Sequence, residues 1–365
     1  MTKLQPPLPT PGPDERRRLL TELLRGVSRA FYLTLRVLPG SLREPIGLAY
    51  LLARAADTIA DTRRVPPDER LGHLLAFRAQ VAGPAQMDVL KTIAAALTEQ
   101  PCVPQERALL HALPQSFALL EAQPAADRTR IRKVVITLTQ GMEFDLRTFP
   151  CEDSGGLAAL KTQDDLDRYT YYVAGCVGAF WTEITAAHTP ALRGWNVEDW
   201  SQTGIRFGKA LQYTNVLRDL PRDLRMGRCY LPEDLLVQYG LQPGELTDAA
   251  NGSRARAALG AEIQVALEHF EHACMYILAT PRRCVRLRLA TLWPVLMGLG
   301  TLRKLAANEH WLDPQRPSKV SRAWVYTMLL ASLPVVCSNL LVGLWTSCLL
   351  KRLRKTIAQK NKARS

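Results

Sequence analysis

The chain has 365 residues, of which 47% are hydrophobic and 22% charged; that composition excludes a disordered chain, a collagen and a low-complexity fibre. Its net charge of +13 does not mark a nucleic-acid binder, since seven Lys and Arg residues fall in 351–365 without an acid, leaving +6 for the rest. Only 7% of residues are aromatic and the eight cysteines form no CxxC pair, so a β-sandwich, a zinc site and a disulfide framework are not expected.

Residues 1–14 are rich in proline and read as a loose arm. No apolar stretch follows Met1, so no signal peptide is expected. From Glu15 the apolar positions recur every three and four residues, as in Leu19, Leu20, Leu23, Leu24 and Val27, which predicts helices. Breaks are expected at Pro39-Gly40, 64–67, 82–84, 101–104, 122–124, 150–156, 190–194, 225–232 and 240–244, with no strand-like runs between them. The reading is all-α: one helical bundle of about ten or more helices over 15–325.

The segment from Tyr50 to Asp61 is a strong helix former. On a helix Tyr50, Arg54, Asp57 and Asp61 fall within about 60° of arc, and almost every other position is small or apolar. A helix apolar on nearly all sides is buried, and its polar stripe must then face a cavity. Two carboxylates one turn apart suit Mg²⁺, which takes hard oxygen ligands and keeps positions for water and phosphate. A second segment places Gln212, Asn215, Asp219 and Asp223 within about 80° of arc, followed by Arg225, Arg228 and Tyr230. Pro221 lies between the two aspartates and is expected to bend the helix and displace Asp223. Two such pairs point to metal-assisted ionisation of a prenyl diphosphate, its cation sheltered in an apolar pocket.

His269 and His272 in EHFEH read as a solvated helix face, Trp195 and Trp200 as packing residues, and Cys176 as a small core residue. From Ala323 to Leu350 no residue is charged, and Lys319, Arg322, Lys351, Arg352, Arg354 and Lys355 bracket the run. This predicts a membrane-associating segment over 326–350 and a basic tail over 351–365 that meets anionic lipid. Pro334, Ser338 and Asn339 offer a bend, so the segment is read as a shallow re-entrant or in-plane anchor with the catalytic domain on the cytoplasmic side.

SRAFYLTLRVLP (28–39), YLLARAADTIAD (50–61), YTYYVAGCVG (169–178) and FGKALQYTNVLRDLPRDLRMGRCYLPEDLL (207–236) resemble the squalene/phytoene synthase family of head-to-head prenyl-condensing enzymes. The resemblance implies an isoprenoid synthase fold with a central cavity, acting as a monomer on farnesyl diphosphate with Mg²⁺ and NADPH. It implies that Asp57, Asp61, Asp219 and Asp223 bind the metal with support from Asn215. Tyr50, Arg54, Gln212, Arg218 and Arg228 would contact substrate, and Tyr169 would guide proton or diphosphate movement. Phe31, Val173, Ala174, Gly175 and Gly178 would line the prenyl pocket. Lys319 and Arg322 would serve the nicotinamide, although Ser321 stands where an Arg is expected. Tyr172, GMEFDL at 141–146 and the apolar C-terminal segment lean toward the squalene-forming branch. Phytoene or dehydrosqualene formation, a partial reaction ending at presqualene diphosphate or hydroxysqualene, and a non-enzymatic membrane assembly factor are the alternatives; the intact aspartate pairs argue against the last.

Overall fold

Leucine- and alanine-rich stretches wind into helices throughout, and turn residues separate them. The computed structural model describes residues 9, 11–28, 31–62, 65–98, 103–150 and 155–362. Most of the expected 1–14 arm lies outside the described residues. The chain divides into two compact units, 1–146 with 183–190 and 147–182 with 191–365.

The first unit runs α1 (Pro13–Arg18), a π turn, α2 (Leu24–Ser28), α3 (Phe31–Val37), α4 (Gly40–Asp61), α5 (Pro67–Ala82), α6 (Met87–Thr98), α7 (Pro104–His111), α8 (Leu113–Glu121) and α9 (Ala125–Thr148). α5 and α7 each open on a proline, where no helical N–H is lost, with acids in the first turn facing the positive helix end. α4 buries Leu48, Leu51, Leu52, Ala55, Ala56 and Ile59 completely. Its last turn is closed by the buried Arg70 of α5, whose Nη1 donates to the Ala60 carbonyl at 2.9 Å. Phe77 and Phe117 meet edge to face beneath it, with centroids 5.5 Å apart.

The second unit contains α10 (Gln163–Thr170), a π turn (Tyr171–Gly175), α11 (Cys176–His188), α12 (Val197–Arg225), α13 (Glu233–Gln238), α14 (Arg256–Ala279), α15 (Val285–Ala307), α16 (Arg322–Val335) and α17 (Asn339–Lys362); the last residues of α11 belong to the first unit. Thr162 and Asp165 form a reciprocal capping box at the start of α10. Contrary to the expectation of no strands, β1 (Ala158–Ala159) and β2 (Arg228–Cys229) pair in parallel, a short clasp that ties the loop after α12 to the segment before α10. Pro221 does not break the acidic helix. α12 continues through it to Arg225, with Pro221 buried among its neighbours, and Asp223 keeps its place on the stripe.

The apolar C-terminal run is divided by a turn at 336–338 into α16 and α17. No helix among the described residues is long and apolar enough to cross a membrane. The basic tail is not a free tail: α17 continues through it to Lys362, and buried Leu353 and Ile357 extend the stripe begun by Val342, Thr346 and Leu350. Trp195 and Trp200 stack at 4.9 Å and pack against Tyr276.

Candidate active site

In the first unit α4 presents a polar stripe. Tyr50, Arg54 and Asp57 are half-buried and Asp61 is exposed, while the rest of the helix from Leu51 to Ala60 is almost wholly covered. The Tyr50 hydroxyl reaches the Val27 carbonyl at 3.4 Å. Arg54 forks its guanidinium, one nitrogen on Asp57 and the other on Glu106 of α7 at 2.7 Å. The Asp57 carboxyl is pushed up to about 6, first by the protein packed around it and then by Asp61 one turn on, against the pull of Arg54. Of its side chain 41% still reaches solvent, so the carboxyl is crowded on one side and open on the other. Thr62, one residue beyond the helix, turns its hydroxyl back to the Thr58 carbonyl at 2.6 Å. The expectation for the Phe31 side chain lies outside the described residues.

In the second unit α12 carries the matching stripe. Arg218 grips Asp219 with Nε at 2.8 Å and with Nη2, and this bond raises the arginine's proton affinity. Asn215 is exposed and donates to Gln212 Oε1 at 3.4 Å; Asp223 is half-buried and within electrostatic reach of Arg218. Arg228 is buried in β2. Tyr169, at the end of α10, is buried and stacks on Tyr230 at 4.9 Å, and Tyr230 meets Phe149 edge to face at 5.0 Å. The aromatic packing fixes the Tyr169 ring at the end of α10, just before the π turn, in which Val173 and Ala174 are half-buried.

The two glycines assigned to the pocket also set how closely two helices pack. A Cβ on Gly178 would stand 1.8 Å from the Gly204 carbonyl oxygen, and one on Gly175 would meet Ile205 at 3.2 Å. Their faces are closed by α12, so they let the tyrosine segment and the acidic helix touch along their backbones. Lys319 and Arg322 are exposed cations flanking Ser321, whose hydroxyl accepts the Trp324 N–H and caps α16. Among residues that spacing did not reveal, Glu106 stands out. It answers Arg54 from 52 positions away in sequence, and no local pattern links the two.

Behind the α12 stripe lies a buried polar cluster. Gln163 of α10 donates its amide to the Tyr213 hydroxyl at 3.1 Å and to Glu262 of α14 at 3.4 Å, while Lys209 holds Asp167 at 2.6 Å. His269 packs its ring on Tyr213 at 5.4 Å and is buried, so the expected solvated face holds for Glu268 and Glu271 but not for His269. Its pKa is pushed down to about 4 by burial and by Arg206 and Lys209. Glu262, 1% exposed, is pushed up to about 7 by burial, with Asp234 adding to the shift and the Gln163 bond opposing it. An unfolded glutamate releases its proton near 4.5, so between about 4.5 and 7 folding takes up a proton and stability falls as pH rises. Glu262→Gln is therefore expected to match the parent at pH 5 and to exceed it at pH 8, by up to about 3 kcal/mol. Urea unfolding at the two pH values checks this; a parent whose stability is flat with pH would contradict it.

A family model described as squalene/phytoene synthase matches residues 24–324. The chain belongs to that family. The expectation of a prenyltransferase-type enzyme is borne out at the level of the family. Within the squalene/phytoene synthases, the chain is 26% identical over 313 residues to a squalene synthase of Eremothecium gossypii, covering 85% of this chain and 66% of that relative, so it spans just under two thirds of the relative's length. It is 27% identical over 305 residues to a presqualene diphosphate synthase of Rhodopseudomonas palustris, covering 82% and 91%. A solved complex of TcSQS superposes with a TM-score of 0.75 at 21% identity, over 96% of this chain and all of that one, which fixes the isoprenoid synthase fold.

Proposed function

We propose that the chain condenses two molecules of farnesyl diphosphate head to head, through presqualene diphosphate, to squalene. The observation that carries this is the repeated acidic stripe, in which each helix holds its aspartates one turn apart and sets an arginine on one of them. The donor set fits Mg²⁺: hard carboxylate oxygens, in pairs one turn apart on each helix. Mg²⁺ so held takes one or two protein carboxylates and leaves room for phosphate. Bound there, the metal supplies Lewis acidity that neutralises the diphosphate and eases its departure.

Asp57 and Asp61 on α4, and Asp219 and Asp223 with Asn215 on α12, are the residues that would hold metal. Tyr50, Arg54, Gln212, Arg218 and Arg228 orient the diphosphate. Tyr169 is positioned by its stack to hold or pass a proton near the departing group. Phe31, Val173 and Ala174 exclude water from the prenyl chain. Reduction to squalene would draw on NADPH through Lys319 and Arg322.

A second reading ends the reaction at presqualene diphosphate. It is favoured by Ser321, whose side chain is committed to capping α16 where a nicotinamide-binding cation is expected. Purified chain with farnesyl diphosphate and Mg²⁺ is expected to release diphosphate and give a C30 product, squalene with NADPH and presqualene diphosphate without it. Presqualene diphosphate under both conditions selects the second reading. Consumption of geranylgeranyl diphosphate alone selects phytoene formation, and consumption of neither ends the enzymatic reading. A C30 hydrocarbon needs a lipid acceptor, so we place the chain as a monomer on a membrane, with its catalytic residues on the cytoplasmic side.

A further inference from the structure

The surface that meets the lipid can be built from the packing of α14–α17. α16 lies antiparallel to α15: Gly300 faces Trp324, Trp293 Nε1 donates to Ser332 at 2.8 Å, and Arg288 Nε donates to the Val336 carbonyl at 2.8 Å. α17 lies antiparallel to α14, through Asn339 on the Leu278 carbonyl, Thr346 with Cys274, and Arg354 on Glu271. The turn at 336–338 therefore comes to the same end of this layer as the loop between α14 and α15. Arg288, fully buried, fastens the two together by also donating to the carbonyls of Ile277 and Thr280.

Only one narrow stripe of each C-terminal helix is covered. On the outside Tyr326, Leu330, Leu333, Leu340, Leu341 and Leu344 are 45% to 70% exposed. Soluble surfaces rarely keep so many large apolar side chains together. The charge around them is mostly positive, with Glu271 and Glu309 paired to Arg354 and Lys360. Residues 314–365 contain ten Lys and Arg and no Asp or Glu. At the far end of α17 Lys351, Arg352 and Lys355 are exposed. At the near end the fold adds Arg282 and Arg283 from the α14–α15 loop and Arg286 from the first turn of α15, all exposed, in a segment (279–289) without an acid. This second basic group is some fifty residues away in sequence from the turn it flanks.

We infer that α16 and α17 lie in the plane of an anionic leaflet, with the six apolar side chains among the acyl chains. Arg282, Arg283 and Arg286 at one end, and Lys351, Arg352 and Lys355 at the other, rest on headgroup phosphates. This rests on the membrane placement proposed above and names the surface that makes it. The apolar part of α17, residues 339–350, would reach only about 18 Å, short of a hydrocarbon core of about 30 Å, so the pair lies in the leaflet and does not cross it. A second copy is a poorer occupant, because like cations would face one another around the contact.

Flotation of the full chain with vesicles is the test. Binding is expected to vesicles of phosphatidylcholine mixed with phosphatidylglycerol, and to be at least tenfold weaker with phosphatidylcholine alone. Leu340→Asp with Leu344→Asp should weaken binding at least tenfold, and Arg282→Glu with Arg283→Glu should do so at low salt; the altered side chains are exposed, so unfolding temperatures should not move. Exposed Cys337, in the turn, should be protected from a polar maleimide by anionic vesicles, as read by mass mapping. Undiminished binding by either double variant overturns the inference. So does a lipid-free dimer that the leucine substitutions abolish. An Asp219→Asn chain should float like its parent, which separates the two proposals. Activity in detergent without vesicle binding would sink this surface alone, and binding without activity would sink the reaction alone.

Discussion

Replacing Asp219 by Asn is expected to lower turnover of farnesyl diphosphate about a thousandfold, while the unfolding temperature stays within about 2 °C of the parent. The reasoning weighs two magnitudes. A carboxylate that binds the metal at a departing diphosphate contributes several kcal/mol to the transition state, and about 4 kcal/mol is about three decades in rate. The same side chain is 36% exposed in the folded protein and paired with a neighbouring arginine, an arrangement that adds about 1 kcal/mol at most to stability. Asparagine keeps the shape and removes the charge, so activity and stability should part company. Asp57→Asn on the other stripe should lose activity alike, with stability held or raised near neutral pH, since packing and Asp61 push that carboxyl up to about 6. Activity within tenfold of the parent, or a collapse in stability, would show that the aspartates serve the fold and not the reaction.

The second large effect is on the fold itself. Gly178→Ala is expected to cost about 3 kcal/mol or more and to lower the unfolding temperature by about 10 °C. The added methyl would stand 1.8 Å from the carbonyl oxygen of Gly204 and 2.4 Å from its carbon. These are backbone atoms of a long helix and cannot turn aside as a side chain would. Alanine gains about 1 kcal/mol of helix propensity over glycine, which does not offset the clash. Gly72→Ala in α5 supplies the control: nothing lies within 4 Å of the new methyl, so that variant should gain stability. Equal behaviour of the two variants would show that the close approach of α11 and α12 is not required.

Much of this was legible in the sequence because it is local. A carboxylate one turn from another is a matter of helix period, and the polar stripes of α4 and α12 follow from counting residues. Burial of α4 followed from its lack of any other polar face. What escaped the sequence is what the chain brings together from afar: Glu106 on Arg54, Arg70 closing α4, and Glu262 beneath Tyr213. Burial of His269 is hidden for the same reason, since neighbouring glutamates say nothing about which helix covers the imidazole. Pro221 was overweighted. A proline bends a free helix, but packing on several sides keeps α12 continuous through it. In the basic tail charge was read and periodicity overlooked, although Leu350, Leu353 and Ile357 already stood at helical spacing.

Each acidic stripe also carries its own counter-ion. Arg54 sits on Asp57 and Arg218 on Asp219, so neither carboxylate waits bare for a cation. On the proposed reading, a divalent ion competes with the arginine for each carboxylate, and a guanidinium so released has donors to fill. A diphosphate arriving with the ion fills them. The two ligands would then be thermodynamically linked, since each removes the cost that the other would meet alone. Free Mg²⁺ should bind the chain weakly, diphosphate without Mg²⁺ likewise, and the pair together far more tightly than the product of the two affinities. On the proposed reading, such a site would answer to metal and diphosphate together more than to either alone.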